Sequence, residues 1–99
     1  MIVSEIQITL KSFGGNPVVH VVPFSSMDWA EKEYATLKEL VKRMDDRAND
    51  LPKRIEVVGE GAKAEFALSE VQSFGLVDFE RSKNERVGMQ DKFPHLFKR

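Results

Sequence analysis

The chain has 99 residues and a mass of 11.3 kDa, which is the size of one small domain. Apolar residues make up 41 % of it and charged residues 31 %, a globular composition that excludes an obligately disordered chain, and the absence of cysteine excludes disulfide scaffolds, thiolate zinc sites and cysteine nucleophiles. The net charge of −1 excludes a uniformly basic domain of the kind that binds nucleic acid with its whole surface.

Residues 2–11 predict the first strand, because apolar and polar side chains alternate along it. A turn cluster at residues 14–17 follows, and the β-branched segment 18–22 predicts a second strand that closes a hairpin. Pro23 has no amide hydrogen, so we expect it to end that strand or to mark its edge.

Residues 25–48 predict one long helix, because apolar residues recur on one face at intervals of three and four. The stripe consists of Ala30, Tyr34, Leu37, Val41, Met44 and Ala48, joined by Leu40. Ser25 is the predicted N-cap with Asp28 in the capping-box position, and Phe24 and Trp29 occupy the two staple positions. We expect the stripe to pack on the protein's own sheet, which requires Tyr34 and Met44 to be buried; exposure of both would favour a homodimer seam.

Residues 54–58 predict a third strand and residues 59–61 a turn, but two interpretations compete for residues 62–74. In the favoured one, alternation predicts a fourth strand, and Ser69 with Gln72 caps a short helical turn that ends at Gly75. In the alternative, residues 62–74 form one helix whose apolar face carries Ala64, Ala67, Leu68, Val71 and Phe74. Residues 76–80 predict a last strand on either interpretation.

The predicted elements give an α+β fold of the order strand, strand, long helix, strand, strand, short helical turn, strand. This order resembles the β-grasp architecture, which implies a ββαββ(α)β arrangement with a mixed sheet packed on one long helix. One helix over residues 62–74 would instead give ββαβαβ. The resemblance concerns the order of elements over residues 1–80, which we expect to form a single domain.

Motifs for catalysis and cofactor binding are weak in this sequence. Gly59, Gly61 and Ala64 match the G-x-G-x-x-A form of a dinucleotide fingerprint, but a plain hairpin turn is the favoured interpretation, since Glu60 would place an anion beside the phosphates. His20 lies among valines and His95 lies far along the chain, without metal-ligand spacing. We therefore expect no cofactor, no metal site and no catalytic residue.

The basic C-terminal segment, residues 81–99, is the strongest candidate for a binding site. It carries six Lys and Arg against two Asp and Glu, whereas residues 1–80 carry nine against 14. We expect a flexible tail whose cations and aromatic rings contact a partner. The candidate partner-binding residues are Lys83, Arg86, Lys92, Phe93, Leu96, Phe97, Lys98 and Arg99.

These patterns favour a small, non-catalytic binding or regulatory module that docks a protein partner through its tail. One alternative is an accessory protein that uses the same tail on RNA or DNA, where cations neutralise phosphates and rings stack on bases. A second is a small enzyme with His20 as acid or base, and a homodimer is a further option. With no signal-peptide pattern and no run of about 20 apolar residues, we expect a soluble cytoplasmic protein that does not bind membranes.

Overall fold

The structure, a computed structural model, describes residues 1–11, 15–45, 51–81 and 83–89. The elements are β1 (Ser4–Leu10), β2 (Val18–Phe24), α1 (Met27–Asp45), β3 (Arg54–Val58), β4 (Lys63–Ala67), β5 (Val71–Asp78) and β6 (Lys83–Gly88), with a 3₁₀ turn at Leu68–Glu70 between β4 and β5. The predicted α+β class and the order ββαββ(α)β are confirmed. The fourth strand of the favoured interpretation of residues 62–74 is also confirmed, because β4 replaces the first part of the single helix. The short turn that follows spans Leu68–Glu70, without a side-chain cap from Ser69.

The strands form a four-stranded sheet of order β2-β1-β5-β6 and a separate two-stranded hairpin of β3 and β4. We expected a mixed sheet, but every pairing among the described residues is antiparallel. The difference arises because β3 and β4 pair with each other instead of joining the main sheet. The chain then returns through the 3₁₀ turn and places β5 antiparallel to β1.

The core lies between α1, one face of the main sheet and the inner face of the β3–β4 hairpin. From Ala30 to Met44 the predicted helical stripe packs internally, since Tyr34 is only 2 % exposed and Met44 is partly buried against the core. Ala48, the last residue of the predicted stripe, lies outside the described residues. The Tyr34 ring meets the Phe74 ring edge-on, with 5.6 Å between ring centroids. The stripe is therefore used within the protein's own core, as the sequence pattern predicted. The fully or nearly buried apolar residues of the sheet face include Ile6, Ile8, Leu10, Val22, Phe24, Phe74 and Leu76.

Helix α1 begins at Met27, one residue later than the predicted N-cap at Ser25 implied. Ser26, not Ser25, caps the helix, because its hydroxyl accepts a hydrogen bond from the Trp29 amide at 3.4 Å. The Ser25 hydroxyl instead donates to the Glu60 carboxylate at 2.9 Å, which ties this corner to the β3–β4 turn. The predicted staple is present, with the rings of Phe24 and Trp29 5.3 Å apart and nearly perpendicular.

Two predictions about the C-terminal third require correction. Gly75 does not end a helical turn: it lies in the middle of β5, which begins five residues before the predicted strand. Residues 83–89 are not a flexible tail, because Lys83–Gly88 pairs with β5 as an edge strand and Met89 is 1 % exposed in the core. The chain reverses between β5 and β6 at Asp78, whose carboxylate accepts hydrogen bonds from the amides of Glu80 and Arg81.

Candidate functional site

The first half of β2 is the most exposed apolar segment of the sheet. Val18, Val19 and Val21 are 52 %, 53 % and 50 % exposed, and His20 between them is half-buried. Side chains alternate between the two faces of a strand, so these exposures show that both faces of the segment are open. β2 stands at the end of the sheet order, which adds an open edge to the two open faces.

The backbone groups that point away from the sheet can be assigned from the hydrogen-bond pattern. The Phe79 amide donates to the Val3 carbonyl at 3.0 Å and continues the β1–β5 register, so odd-numbered residues of β1 face β5 and even-numbered ones face β2. In the β1–β2 register it follows that Val18, His20 and Val22 bond to β1. Val19, Val21 and Pro23 therefore direct their backbone groups outward.

The β3–β4 turn occupies the far end of this outer edge. The Glu60 amide donates to the Pro23 carbonyl at 2.7 Å, which agrees with the outward direction of that carbonyl. Pro23 has no amide hydrogen, and its carbonyl already accepts this bond, so neither of its backbone groups is available to a further strand. Among the backbone bonds of the described residues, none occupies the outward groups of Val19 or Val21.

A shallow groove of about 550 Å³ lies on the sheet face opposite α1, beside the exposed valines. Gly75 forms part of its floor. A β-carbon there would approach the Glu85 carbonyl oxygen to 2.7 Å, so only glycine permits the observed spacing of β5 and β6. The Arg86 guanidinium crosses the groove and donates to the buried Ser73 hydroxyl at 3.0 Å. Arg86 and Glu85 are the charged residues among those that line the groove, and the Glu85 carboxylate pairs with Lys38 of α1.

The predicted site residues are only partly within the described chain. Arg86 lies in β6 and faces the groove, whereas Lys83 begins β6 and its side chain is outside the described part. The other candidates lie outside the described residues: Lys92, Phe93, Leu96, Phe97, Lys98 and Arg99. The structure therefore places Arg86 on the same sheet face as Val19 and Val21. The sequence pattern had not indicated these two valines as site residues.

The glycine motif is a hairpin turn, as the favoured interpretation predicted. The Gly59 amide donates to the Ala62 carbonyl at 2.8 Å, and a strand instead of a helix follows. Gly61 has a positive φ of 66°, and Gly59 packs against the end of β2. No amide cluster at a helix N-terminus is present here to receive a phosphate.

The enzyme alternative finds no supporting cluster in the described part of the chain. His20 lies on the exposed half of β2, with hydrophobic residues as its neighbours along the strand. Among the residues that the structure describes, no group of three or more His, Asp or Glu is placed to hold a metal ion. No helix in the described ranges has the length and apolarity that crossing a membrane requires.

Tyr34, the single tyrosine, carries the one resolved pKa shift among the described residues. Burial, and secondarily the nearby carboxylate of Glu85, raise the pKa of the phenol above its usual value. The Lys38 ammonium lies 4.9 Å from the centre of the Tyr34 ring and 3.5 Å from Glu85. The Tyr34 hydroxyl itself is buried without a hydrogen bond of acceptable geometry.

Replacing Tyr34 with phenylalanine is expected to change the free energy of unfolding at neutral pH by less than about 1 kcal/mol, because the ring contacts stay and an unpaired hydroxyl is removed. The unfolded chain releases the phenol proton near pH 10.0, before the folded chain does. The stability of the wild type therefore falls as the pH rises above that value, and Y34F escapes this loss. Urea unfolding of both proteins at neutral and alkaline pH measures the difference; equal alkaline losses would contradict it.

Comparisons with known proteins give no family assignment. A scan against protein-family models, a search of curated proteins and a search of solved structures each found no match to this chain. The function must therefore be inferred from the exposed edge of β2 and the groove beside it.

Proposed function

We propose that the chain is a non-catalytic protein-binding module that docks a protein partner through the outer edge of β2. The observation that carries this proposal is the segment Val18 to Val21, which is open on both faces and has outward backbone groups without a partner in the described chain. An exposed, uncharged edge strand is a template for a further strand, and monomeric proteins usually protect such edges.

The other edge strand of the sheet, β6, is protected against pairing with a further strand by its charged side chains. β6 has the sequence K-N-E-R-V-G, with charges at three of its first four positions. Strand β2, V-V-H-V-V-P-F, has no acidic residue, lysine or arginine, and only Pro23 at its far end resists pairing. The contrast supports β2 as the edge that receives a partner strand.

The chemistry of recognition follows from the geometry of strand addition. Outward amides and carbonyls of Val19 and Val21 supply hydrogen bonds that any extended segment can complete. Specificity would come from side chains next to the edge: the half-exposed valines on one side and Arg86 across the groove. The preferred partner is therefore an extended, apolar segment.

Site-specific photo-crosslinking tests this proposal in cells of the native host. A photoreactive residue at Val19 is expected to give a discrete protein adduct, identified by mass spectrometry. The same residue at Lys42, which is exposed on α1, is the matched control and is expected to give none. Equal adducts from both positions would contradict docking at β2, and a nuclease-sensitive adduct would favour the nucleic-acid alternative.

A proline at position 21 separates strand addition from other kinds of contact. Val21→Pro removes an outward amide hydrogen but no hydrogen bond to β1, as Pro23 already does in the same strand. The adduct formed at Val19 is expected to disappear while the circular dichroism spectrum stays unchanged. Persistence of the adduct in the folded variant would show that the partner does not add a strand.

The predicted role of the C-terminal tail is a separate proposal. Its residues from Lys92 onward lie outside the described part, and Arg86 is the tail candidate whose side chain lies beside the groove. Photoreactive substitution at Phe93 in the same assay asks whether the tail contacts the same partner.

A further inference from the structure

The sequence around the exposed edge reads the same in both directions. Residues 17–23 are P-V-V-H-V-V-P, a palindrome centred on His20. Two antiparallel strands related by a twofold axis pair residue i with the residue equally far on the other side of the axis. With the axis at His20, each residue of the segment 18–22 would lie opposite a residue of its own type.

The hydrogen-bonding groups have the same symmetry as the side chains. Val19 and Val21 both direct their amides and carbonyls outward, and they stand at equal distances from His20. Prolines at positions 17 and 23 flank them on both sides and offer no amide hydrogen. The outward donors of β2 are therefore confined to two residues that exchange places under the twofold rotation.

We propose that the partner of the β2 edge is a second copy of this chain, paired antiparallel with Val19 of one copy opposite Val21 of the other. This inference rests on the proposed function and specifies its partner. Each Val19 and Val21 would exchange both backbone hydrogen bonds with the opposite residue, and the two four-stranded sheets would become continuous. Any shift of the register by two residues places a proline opposite a valine and loses a donor.

Charge also favours strand β2 of a second copy as the occupant, in preference to any other strand of that copy. Among the six strands in the described part of the chain, β2 is the one without Asp, Glu, Lys or Arg, so a copy of it meets the half-exposed valines without placing a charge against them. The net charge of −1 per chain leaves little repulsion between copies. In an isologous pairing, the β2 edges of both copies are buried in the same interface, so the assembly closes as a dimer.

A single cysteine tests the register directly, because the chain has no cysteine of its own. In the proposed dimer the two copies of residue 20 are directly opposite in a pair without backbone hydrogen bonds, where α-carbons are about 4.5 Å apart and a disulfide fits. His20→Cys is therefore expected to form a covalent dimer on mild oxidation, at least about tenfold faster than the control Val18→Cys.

The control residue is more accessible than residue 20, so slower oxidation of its cysteine variant could not be caused by burial. Val18 is 52 % exposed and lies on the same strand face as residue 20, but the two copies of residue 18 would be separated by four residues along the paired strands, about 13 Å. Sedimentation of the unmodified chain is expected to give twice the mass of 11.3 kDa. Val21→Pro is expected to weaken this self-association roughly 30-fold by removing two intermolecular hydrogen bonds.

Equal oxidation rates for H20C and V18C, or a monomeric mass for the unmodified chain at all concentrations, would overturn the second copy as the partner. If the crosslinker at Val19 then captures a different protein and V21P abolishes that adduct, the proposed function stands without this inference. If neither self-association nor a position-specific adduct is found, both fail.

Discussion

Replacing Phe74 with alanine is expected to lower the free energy of unfolding by about 3–5 kcal/mol, which is a large share of the 5–15 kcal/mol typical of a small domain. Phe74 is 1 % exposed at the centre of the helix-facing side of the sheet, and its ring packs edge-on against Tyr34 of α1. The substitution leaves a cavity in the contact that holds α1 to β5. Urea unfolding followed by circular dichroism measures the loss.

Phe79 provides the matched control for this prediction. It lies only five residues further along, but it is 47 % exposed in the turn between β5 and β6. Phe79→Ala is expected to change the free energy of unfolding by no more than about 0.5 kcal/mol. Comparable losses for the two variants would mean that the described burial of Phe74 is wrong.

Replacing Gly59 with alanine is expected to destabilise the protein by about 3 kcal/mol, because the turn between β3 and β4 has no room for a side chain at that position. The new β-carbon would overlap the Pro23 carbonyl oxygen and lie 2.5 Å from Cγ1 of Val22. Relief of this clash requires the hairpin to move away from β2, which breaks the hydrogen bond from the Glu60 amide to Pro23.

The second glycine of the same turn separates steric crowding from backbone conformation. Gly61 has a φ of +66° and nothing within 4 Å of an added β-carbon. Gly61→Ala therefore carries only the conformational cost of a left-handed residue, about 1 kcal/mol. Thermal unfolding of both variants ranks the two effects, and a larger loss for G61A would contradict the close packing of Gly59 on β2.

The parts of the fold that were predictable from the sequence are those with strong local periodicity. The helical stripe from Ala30 to Val41 and the alternation in β1 each repeat an unambiguous pattern over several residues, so their buried faces could be predicted. The alternation over β4 also outweighed the competing helical pattern. The capping signal at Ser69 coincides with a short 3₁₀ turn, although no side-chain hydrogen bond caps it.

Strand β6 could not be predicted because its sequence lacks the pattern of a half-buried strand. Of its residues only Val87 is an apolar side chain packed against the core, and its place in the sheet comes from pairing with β5. The local signal for it was the turn at Asp78, whose carboxylate binds the next amides of the chain. An edge strand that faces water on one side needs little hydrophobic alternation, so its sequence resembles a loop.

The candidate site depended on information that local sequence patterns do not contain. Residues 18–22 predict a strand, but its position at the edge follows from the order of strands, which is set by pairings between distant segments. Pro23 was the relevant signal, since a proline within a strand indicates an edge. The structure places Pro23 inside β2 with its carbonyl directed outward, which agrees with that expectation.

The close approach of β5 and β6 at Gly75 affects what a glycine at this position would mean in related sequences. Any side chain at this position would push against the backbone of β6, so selection for folding alone is enough to retain a glycine there. A glycine preserved at this position among homologues would thus report the distance between two strands and not the presence of a ligand in the groove. Evidence of selection for binding has to come from positions such as Val19 and Val21, where the fold itself tolerates many side chains.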